Sequence, residues 1–156
     1  MKAGTRWRAV LYAAVAAAIA STLVELAAWW ILADDPYALF WRDVRFAAAL
    51  VLGPRVLVPA TRADAGVLLT ACAVHVALSL AYAAALARLI RRWRGPRVLA
   101  AGAAFGLAVY ALNMYAMTRV FPWFAADRDA VALAAHAVFG IVAAGVYRWN
   151  ARRAPA

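Results

Sequence analysis

One carboxylate, two histidines and one asparagine stand inside the long apolar segments of this sequence: Glu25, His75, Asn113 and His136. A carboxylate beside imidazole rings can hold or pass a proton, because histidine changes its charge near neutral pH. Two histidines on facing helices can ligate a haem iron, or bind a divalent metal together with a glutamate. The remaining interpretation is structural: hydrogen bonds between such groups hold helices together, at about 0.6–2 kcal/mol each.

The segments that carry these residues are long enough to cross a bilayer. A spanning helix needs about 20 mainly apolar residues, and four runs meet this condition: 9–32, 65–90, 98–118 and 130–147. Hydrophobic residues make up 69% of the 156 residues, whereas soluble domains contain roughly 45–50%. The sequence therefore predicts an all-α membrane protein, a single domain over residues 1–156, whose four transmembrane helices form an up-down-up-down bundle.

The basic residues predict the orientation. Eleven of the 17 Lys and Arg residues flank the two termini and the middle loop, and the other six share the two remaining loops with all six aspartates. Because positive residues collect on the cytoplasmic side, we expect both termini in the cytoplasm. The net charge of +10 does not indicate nucleic acid, since these residues stand at the ends of apolar runs. Sixteen arginines against one lysine are typical of a GC-rich bacterial genome, so the expected location is the bacterial cytoplasmic (inner) membrane.

The first outer loop carries the signals of a further helix. In "DDPYALFWRDVRFAAALVLGP" Asp35 is a suitable N-cap, Pro36 suits the first turn, and Gly53 is a stop signal. Arg42 and Arg45 share one face of such a helix, and aromatic residues offer apolar surface beside them. We expect this helix to lie in the membrane interface.

Small residues predict where the spans pack closely. Gly102 and Gly106 form a G-x-x-x-G motif in the third span, and His136 and Gly140 repeat that spacing in the fourth. Lipid gives no hydrophobic drive between helices, so small residues serve to let two backbones approach. We expect packing within the chain, while a homodimer or another membrane protein stays open as a partner beside the lipid bilayer.

The polar residues of the spans predict one cluster in the outer half of the bundle. At 1.5 Å per residue, each lies about 7–15 Å from the outer end of its helix. Such groups usually face the bundle interior and pair, and the second and fourth spans are diagonal neighbours in this topology. We therefore expect the two histidines to face each other. The expected members are Glu25, His75, Asn113 and His136, with Ser79 and Tyr110 as supporting residues.

The second half of the chain carries four short motifs in order: "VHVALSLAY", the G-x-x-x-G of the third span, "FPWF" and "HAVFG". In this it resembles small uncharacterised bacterial inner-membrane proteins, among them the YagU-like family. The resemblance implies a helical inner-membrane protein and brings no catalytic residues. Some short proteins of this appearance are labelled sodium:proline symporters, but such symporters are inverted repeats with broken helices, which four uninterrupted spans cannot build.

Motifs for catalysis are missing from the sequence. It has no H-E-x-x-H, P-loop or nucleophile elbow, and its one cysteine, Cys72, lies in an apolar run. We expect no enzyme and no cofactor, but an accessory or structural membrane protein with a polar cluster. The first alternative is a small proton- or ion-coupled transporter that uses Glu25, His75 and His136. The second alternative is a haem- or metal-binding membrane protein.

Overall fold

The computed structural model describes residues 6–58 and 62–153, and within these residues it is built of helices and contains no strand. The expected all-α bundle is confirmed. Five long helices form it: α1 (Trp7–Leu32), α2 (Pro36–Leu52), α3 (Ala65–Ile90), α4 (Arg97–Ala111) and α5 (Ala130–Arg153). Short 3-10 segments, Pro54–Leu57 and Pro122–Asp127, lie in the two loops on the side of α2.

In the part of the chain that the structure describes, four helices are long and apolar enough to cross a membrane: Trp7–Leu32, Ala65–Ile90, Arg97–Arg119 and Ala130–Arg153. They contain the four predicted spans, and the chain is therefore a multi-pass membrane protein. The last helix continues beyond residue 147, where its apolar run stops, because its polar end stays hydrogen-bonded. There Asn150 Nδ2 donates to the Val146 carbonyl at 2.9 Å, and Arg148 Nη1 donates to the Arg91 carbonyl at 2.9 Å.

The four spans are not packed equally tightly. α5 packs along both α1 and α4, and α3 packs on α1 and α2, but α3 and α4 make few contacts. The half of the bundle away from α2, here called the far side, is closed by small residues such as Ala13 and Ala87 around Leu86 and Ile90, all at most 1% exposed. On the α2 side, a gap remains between α3 and α4.

The glycine motif lies at the contact between α4 and α5. Gly102 and Gly106 face the backbone around His136 and Gly140. A Cβ atom on Gly140 would stand 2.8 Å from the Gly106 nitrogen and 2.9 Å from the Gly102 carbonyl carbon, closer than real Cβ atoms come. The two backbones can approach this far only because both positions are glycine.

Helix α2 begins and ends at its local signals. The Asp35 side chain accepts a hydrogen bond from the Ala38 amide at 2.9 Å, and Gly53 ends the helix with a φ of +79°. Its arginines do not form a solvated face, because α2 packs on α3 with them turned toward the protein. Arg45 is only 4% exposed and donates to the carbonyls of Val56 and Arg62.

Candidate functional site

A cavity of about 290 Å³ occupies the gap between α3 and α4 on the α2 side. All five helices and the loop before α5 contribute to its walls, which are mainly apolar. Its volume is close to the lower end of the range for ligand pockets, about 300–1,000 Å³. It is about twice the roughly 150 Å³ cavity that takes up benzene in another protein. The space is therefore large enough for a ligand the size of a substituted ring.

The residues singled out from the sequence meet at this cavity. Glu25, His75, Asn113, His136 and Ser79 all line it.

Tyr110 is not part of the wall but supports it. Its ring meets the His136 ring edge-on with centroids 5.6 Å apart, and its hydroxyl lies 3.5 Å from the Asp129 carbonyl oxygen.

Three side chains form a chain of hydrogen bonds along the cavity. The Tyr82 hydroxyl donates to Asn113 Oδ1 at 2.8 Å, and Asn113 Nδ2 lies 3.4 Å from His136 Nε2. On the other side of the ring, His136 Nδ1 lies 2.7 Å from the Ala132 carbonyl oxygen. A carbonyl only accepts, so Nδ1 carries the proton, and Nε2 of the neutral ring is an acceptor.

His75 is directed toward a different helix. Its ring lies near the backbone carbonyl of Ala18 on α1, and this carbonyl accepts a hydrogen bond from Ser21 Oγ at 3.1 Å. Within the described residues it has no hydrogen bond to Glu25, Asn113 or His136, although it is near enough to His136 to interact electrostatically. The reason is that α3 packs directly on α1, which brings a backbone acceptor closer than the side chains across the cavity.

Glu25 has no hydrogen-bond donor and no ion-pair partner within residues 6–58 and 62–153. The carboxylates Asp43, Asp127 and Asp129 are near enough to interact with it electrostatically, and Arg42 lines the same small pocket as Glu25 and these aspartates. A ligand can reach its oxygens, since Glu25 is only partly buried and lines the cavity. A carboxyl group in mainly apolar surroundings requires a proton, a donor or a cation.

An ion-pair cluster closes the cavity on the α2 side. The Arg42 guanidinium lies 2.9 Å from Asp43 and 2.6 Å from Asp127, and thereby joins α2 to the loop before α5. Burial raises the pKa of Asp43 to about 6 and that of Asp127 to about 7. One guanidinium cannot fully compensate two buried carboxylates, so this cluster holds a proton more readily than isolated aspartates do.

Aromatic residues also close the cavity on the α2 side. Trp123 Nε1 donates to the Phe46 carbonyl at 3.2 Å, and the Phe46 and Phe124 rings meet edge-on with centroids 6.1 Å apart. The side chains of Phe46 and Phe124 line the cavity from above, so α2 and the second loop form one cover.

α4 changes its winding where it reaches the site. A π-helical turn, Leu112–Ala116, contains Asn113 and gives way to a short 3-10 segment. Arg128 donates to the Met114 carbonyl at 2.7 Å and to Thr118 Oγ1 at 2.8 Å, and so caps the irregular turn. Such π turns occur frequently at functional sites.

Sequence reasoning missed Tyr82 and the Arg42 cluster. A signal for Tyr82 was present, because it follows His75 by seven residues and Ser79 by three, which puts all three on one helix face. No local signal pairs Arg42 with Asp127, which is 85 residues away.

The hypothesis of a metal site requires a set of metal ligands, and the described part of the chain shows none. No group of three or more His, Cys, Asp or Glu side chains there is placed to hold a metal ion.

In comparisons with known proteins, no family model, no curated protein and no solved structure matches this chain. The functional assignment therefore depends on the chemistry of the cavity itself.

Proposed function

We propose that this membrane protein is of the accessory type and binds a small lipid-soluble molecule with a polar head in the cavity between α3 and α4. The observation that carries the proposal is the convergence of Glu25, Asn113 and His136 on one mainly apolar, ring-sized space. Ligand pockets typically combine apolar walls with a few polar groups that orient the ligand. Of these groups, Glu25 is the one without a partner in the described residues.

The position of the gap favours entry from the bilayer. Leu78 on α3 and Leu112 in the π-helical turn after α4 line the cavity and remain 39% and 46% exposed. Both helices turn apolar side chains outward around the gap, so the surroundings of the entrance are suited to lipid. A ligand dissolved in the membrane can reach the polar groups by this path without first crossing water. With the orientation expected from the positive charges, the cavity opens toward the outer leaflet of a bacterial inner membrane.

The packing of the far side favours binding over conduction. Leu86 and Ile90 are at most 1% exposed there, and the helices around them meet through alanines. The polar groups thus end in a closed apolar layer.

A second candidate is proton- or ion-coupled transport by Glu25, His75 and His136. The observation that favours it is the nearness of Glu25 to Asp43 and Asp127, which extends the ionisable groups toward the α2 end of the bundle. Transport requires the far side to open. A pH-dependent flux into proteoliposomes that Glu25→Gln abolishes would support this function instead.

A photoreactive probe tests the proposed binding. We would reconstitute the protein in nanodiscs, add an alkylphenol that carries a diazirine beside its ring, irradiate, and map the labelled residues by mass spectrometry. We expect labelling of cavity residues such as Phe46 and Phe139.

Two substitutions on α3 give the comparison. Leu78→Trp fills the entrance and should suppress cavity labelling, whereas Leu69→Trp should not, because Leu69 is 70% exposed and does not line the cavity. Labelling that is confined to outward residues such as Leu69 in the native protein would overturn the proposal.

A further inference from the structure

We infer that the cavity selects a ligand whose head is an aromatic ring bearing a hydrogen-bond donor, a hydroxyl or an ammonium group, over one that only accepts hydrogen bonds. This inference rests on the proposed function and specifies the chemistry of the same site.

The open polar atoms of the cavity are mainly acceptors. The Glu25 carboxyl group has no donor within the described residues, so its carbonyl oxygen accepts in either protonation state, and both oxygens accept when the group is ionised. His136 gives its Nδ1 proton to the Ala132 carbonyl, so its Nε2 can only accept while the ring is neutral, and the Asn113 amide reaches it at a long 3.4 Å. His75 also lines the cavity, and its neutral ring has one nitrogen that accepts.

The donors of the site are largely engaged within the protein. The Tyr82 hydroxyl donates to Asn113, and the Ser21 hydroxyl donates to the Ala18 carbonyl. Arg42 is held by its two aspartates. The Ser79 hydroxyl and one N–H of Asn113 remain, and the Glu25 carboxyl group adds a donor only when it carries a proton.

A ligand that only accepts would leave those acceptors unpaired. An ether or a ketone displaces water from Glu25 and His136 and offers no hydrogen in return. A hydroxyl or ammonium group replaces the lost water with a hydrogen bond. Leaving a buried acceptor without a donor costs more than a typical hydrogen bond gains. This cost corresponds to a difference in affinity of about ten-fold or more.

The apolar walls are suited to a ring. Phe46, Phe124 and Phe139 line the cavity together with Met114 and Met117. Aromatic rings meet other rings edge-on or offset, and methionine sulfur packs favourably at ring edges. A volume of about 290 Å³ accommodates one substituted ring, and an alkyl tail can leave through the gap between α3 and α4 into lipid.

Competition between three matched compounds tests the inference. Para-hexylphenol, para-hexylbenzylamine and para-hexylanisole share one ring and tail, but the first has a neutral donor, the second a charged donor, and the third only an acceptor. Each would compete with the diazirine probe in nanodiscs at equal membrane concentration. We expect at least one donor compound to displace the probe at a concentration about ten-fold or more below that of the anisole. The stronger of the two shows whether the head is neutral or charged.

Substitutions identify the acceptors. His136→Phe keeps a ring against Tyr110 but removes Nε2, and should bring the donor compounds and the anisole closer together. Leu133→Phe is the control on the same helix, because Leu133 is 42% exposed and does not line the cavity. Glu25→Gln tests the second acceptor should His136→Phe fail to fold.

Equal displacement by all three compounds in the native protein would overturn the inference and leave the cavity as a binding site. A preference that is unchanged in both His136→Phe and Glu25→Gln would also overturn it. Absence of cavity labelling by the probe would instead overturn the proposed function, so the two failures are distinguishable.

Discussion

Gly140 on α5 is the residue where adding a single methyl group should disturb the bundle most. In Gly140→Ala, the new Cβ meets the backbone of α4: the Gly102 carbonyl oxygen, the Gly106 nitrogen at 2.8 Å and the Gly102 carbonyl carbon at 2.9 Å. None of these atoms is the end of a flexible side chain, so the methyl group can be accommodated only if the two helices move apart. Ordinary contacts begin at 3.4 Å, so the Gly106 nitrogen at 2.8 Å alone requires a shift of about 0.6 Å, and the closer Gly102 oxygen requires more.

The expected loss of stability follows from two opposing effects. Overpacking a tight contact costs about 1–3 kcal/mol, and a contact between two backbones belongs at the upper end of that range. Replacing glycine by alanine within a helix returns roughly 0.5–1 kcal/mol. The net loss is about 2 kcal/mol, which for a chain of this length corresponds to a fall in Tm of roughly 4–8 °C.

Gly145→Ala is the matched control on the same helix. A Cβ there would meet only Leu99 Cδ2, at an ordinary 3.6 Å, so the change should leave Tm unchanged or raise it slightly. Thermal unfolding of both variants in detergent, followed by circular dichroism, gives the comparison. Equal Tm values for the two variants would show that α4 and α5 do not pack backbone to backbone at Gly140.

Three further measurements address the site and the orientation. Tyr82→Phe and His136→Phe remove the two ends of one chain of hydrogen bonds. The free energy of unfolding lost in the double variant should therefore be smaller than the sum of the two single losses, by at least about 0.5 kcal/mol. Additive losses would contradict the chain of hydrogen bonds. The raised pKa of Asp127, about 7 because of burial, means that the folded protein retains a proton that the unfolded chain releases. Tm should therefore fall as pH rises from about 5 to about 8, and Asp127→Asn should flatten this dependence; a Tm that rises over this range would refute the sign. A cysteine at Ala126 should react with an impermeant thiol reagent in intact cells and one at Arg92 should not, and the reverse pattern would invert the expected topology.

Sequence alone was sufficient for features that depend on local signals. The spans follow from the length of apolar runs, and the bounds of α2 follow from a capping aspartate and a glycine with positive φ. Helix α5 continues beyond the predicted span 130–147 to Arg153, because hydropathy indicates where a helix leaves lipid and not where its hydrogen bonds end.

Side-chain partners could not be predicted in the same way, because they depend on how each helix is rotated and which helix lies beside it. Arg42 and Arg45 were expected to share a face of α2, but their partners could not be predicted: two aspartates for Arg42 and two backbone carbonyls for Arg45. His75 was expected to meet polar side chains, but within the described residues it has no hydrogen bond to Glu25, Asn113 or His136, because α3 packs closely on α1 and makes few contacts with α4.

The close packing of α4 on α5 and the composition of the cavity are connected. Gly106 lies against the backbone carbonyl of His136, which fixes that turn of α5 on α4. Asn113 follows Gly106 by seven residues, about two helical turns, so it returns to the same face of α4 and reaches the His136 ring. A methyl group at Gly106 would push this turn away and lengthen a contact that already measures 3.4 Å. The glycines that hold the bundle together therefore also set the position of the acceptor that we assign to the ligand.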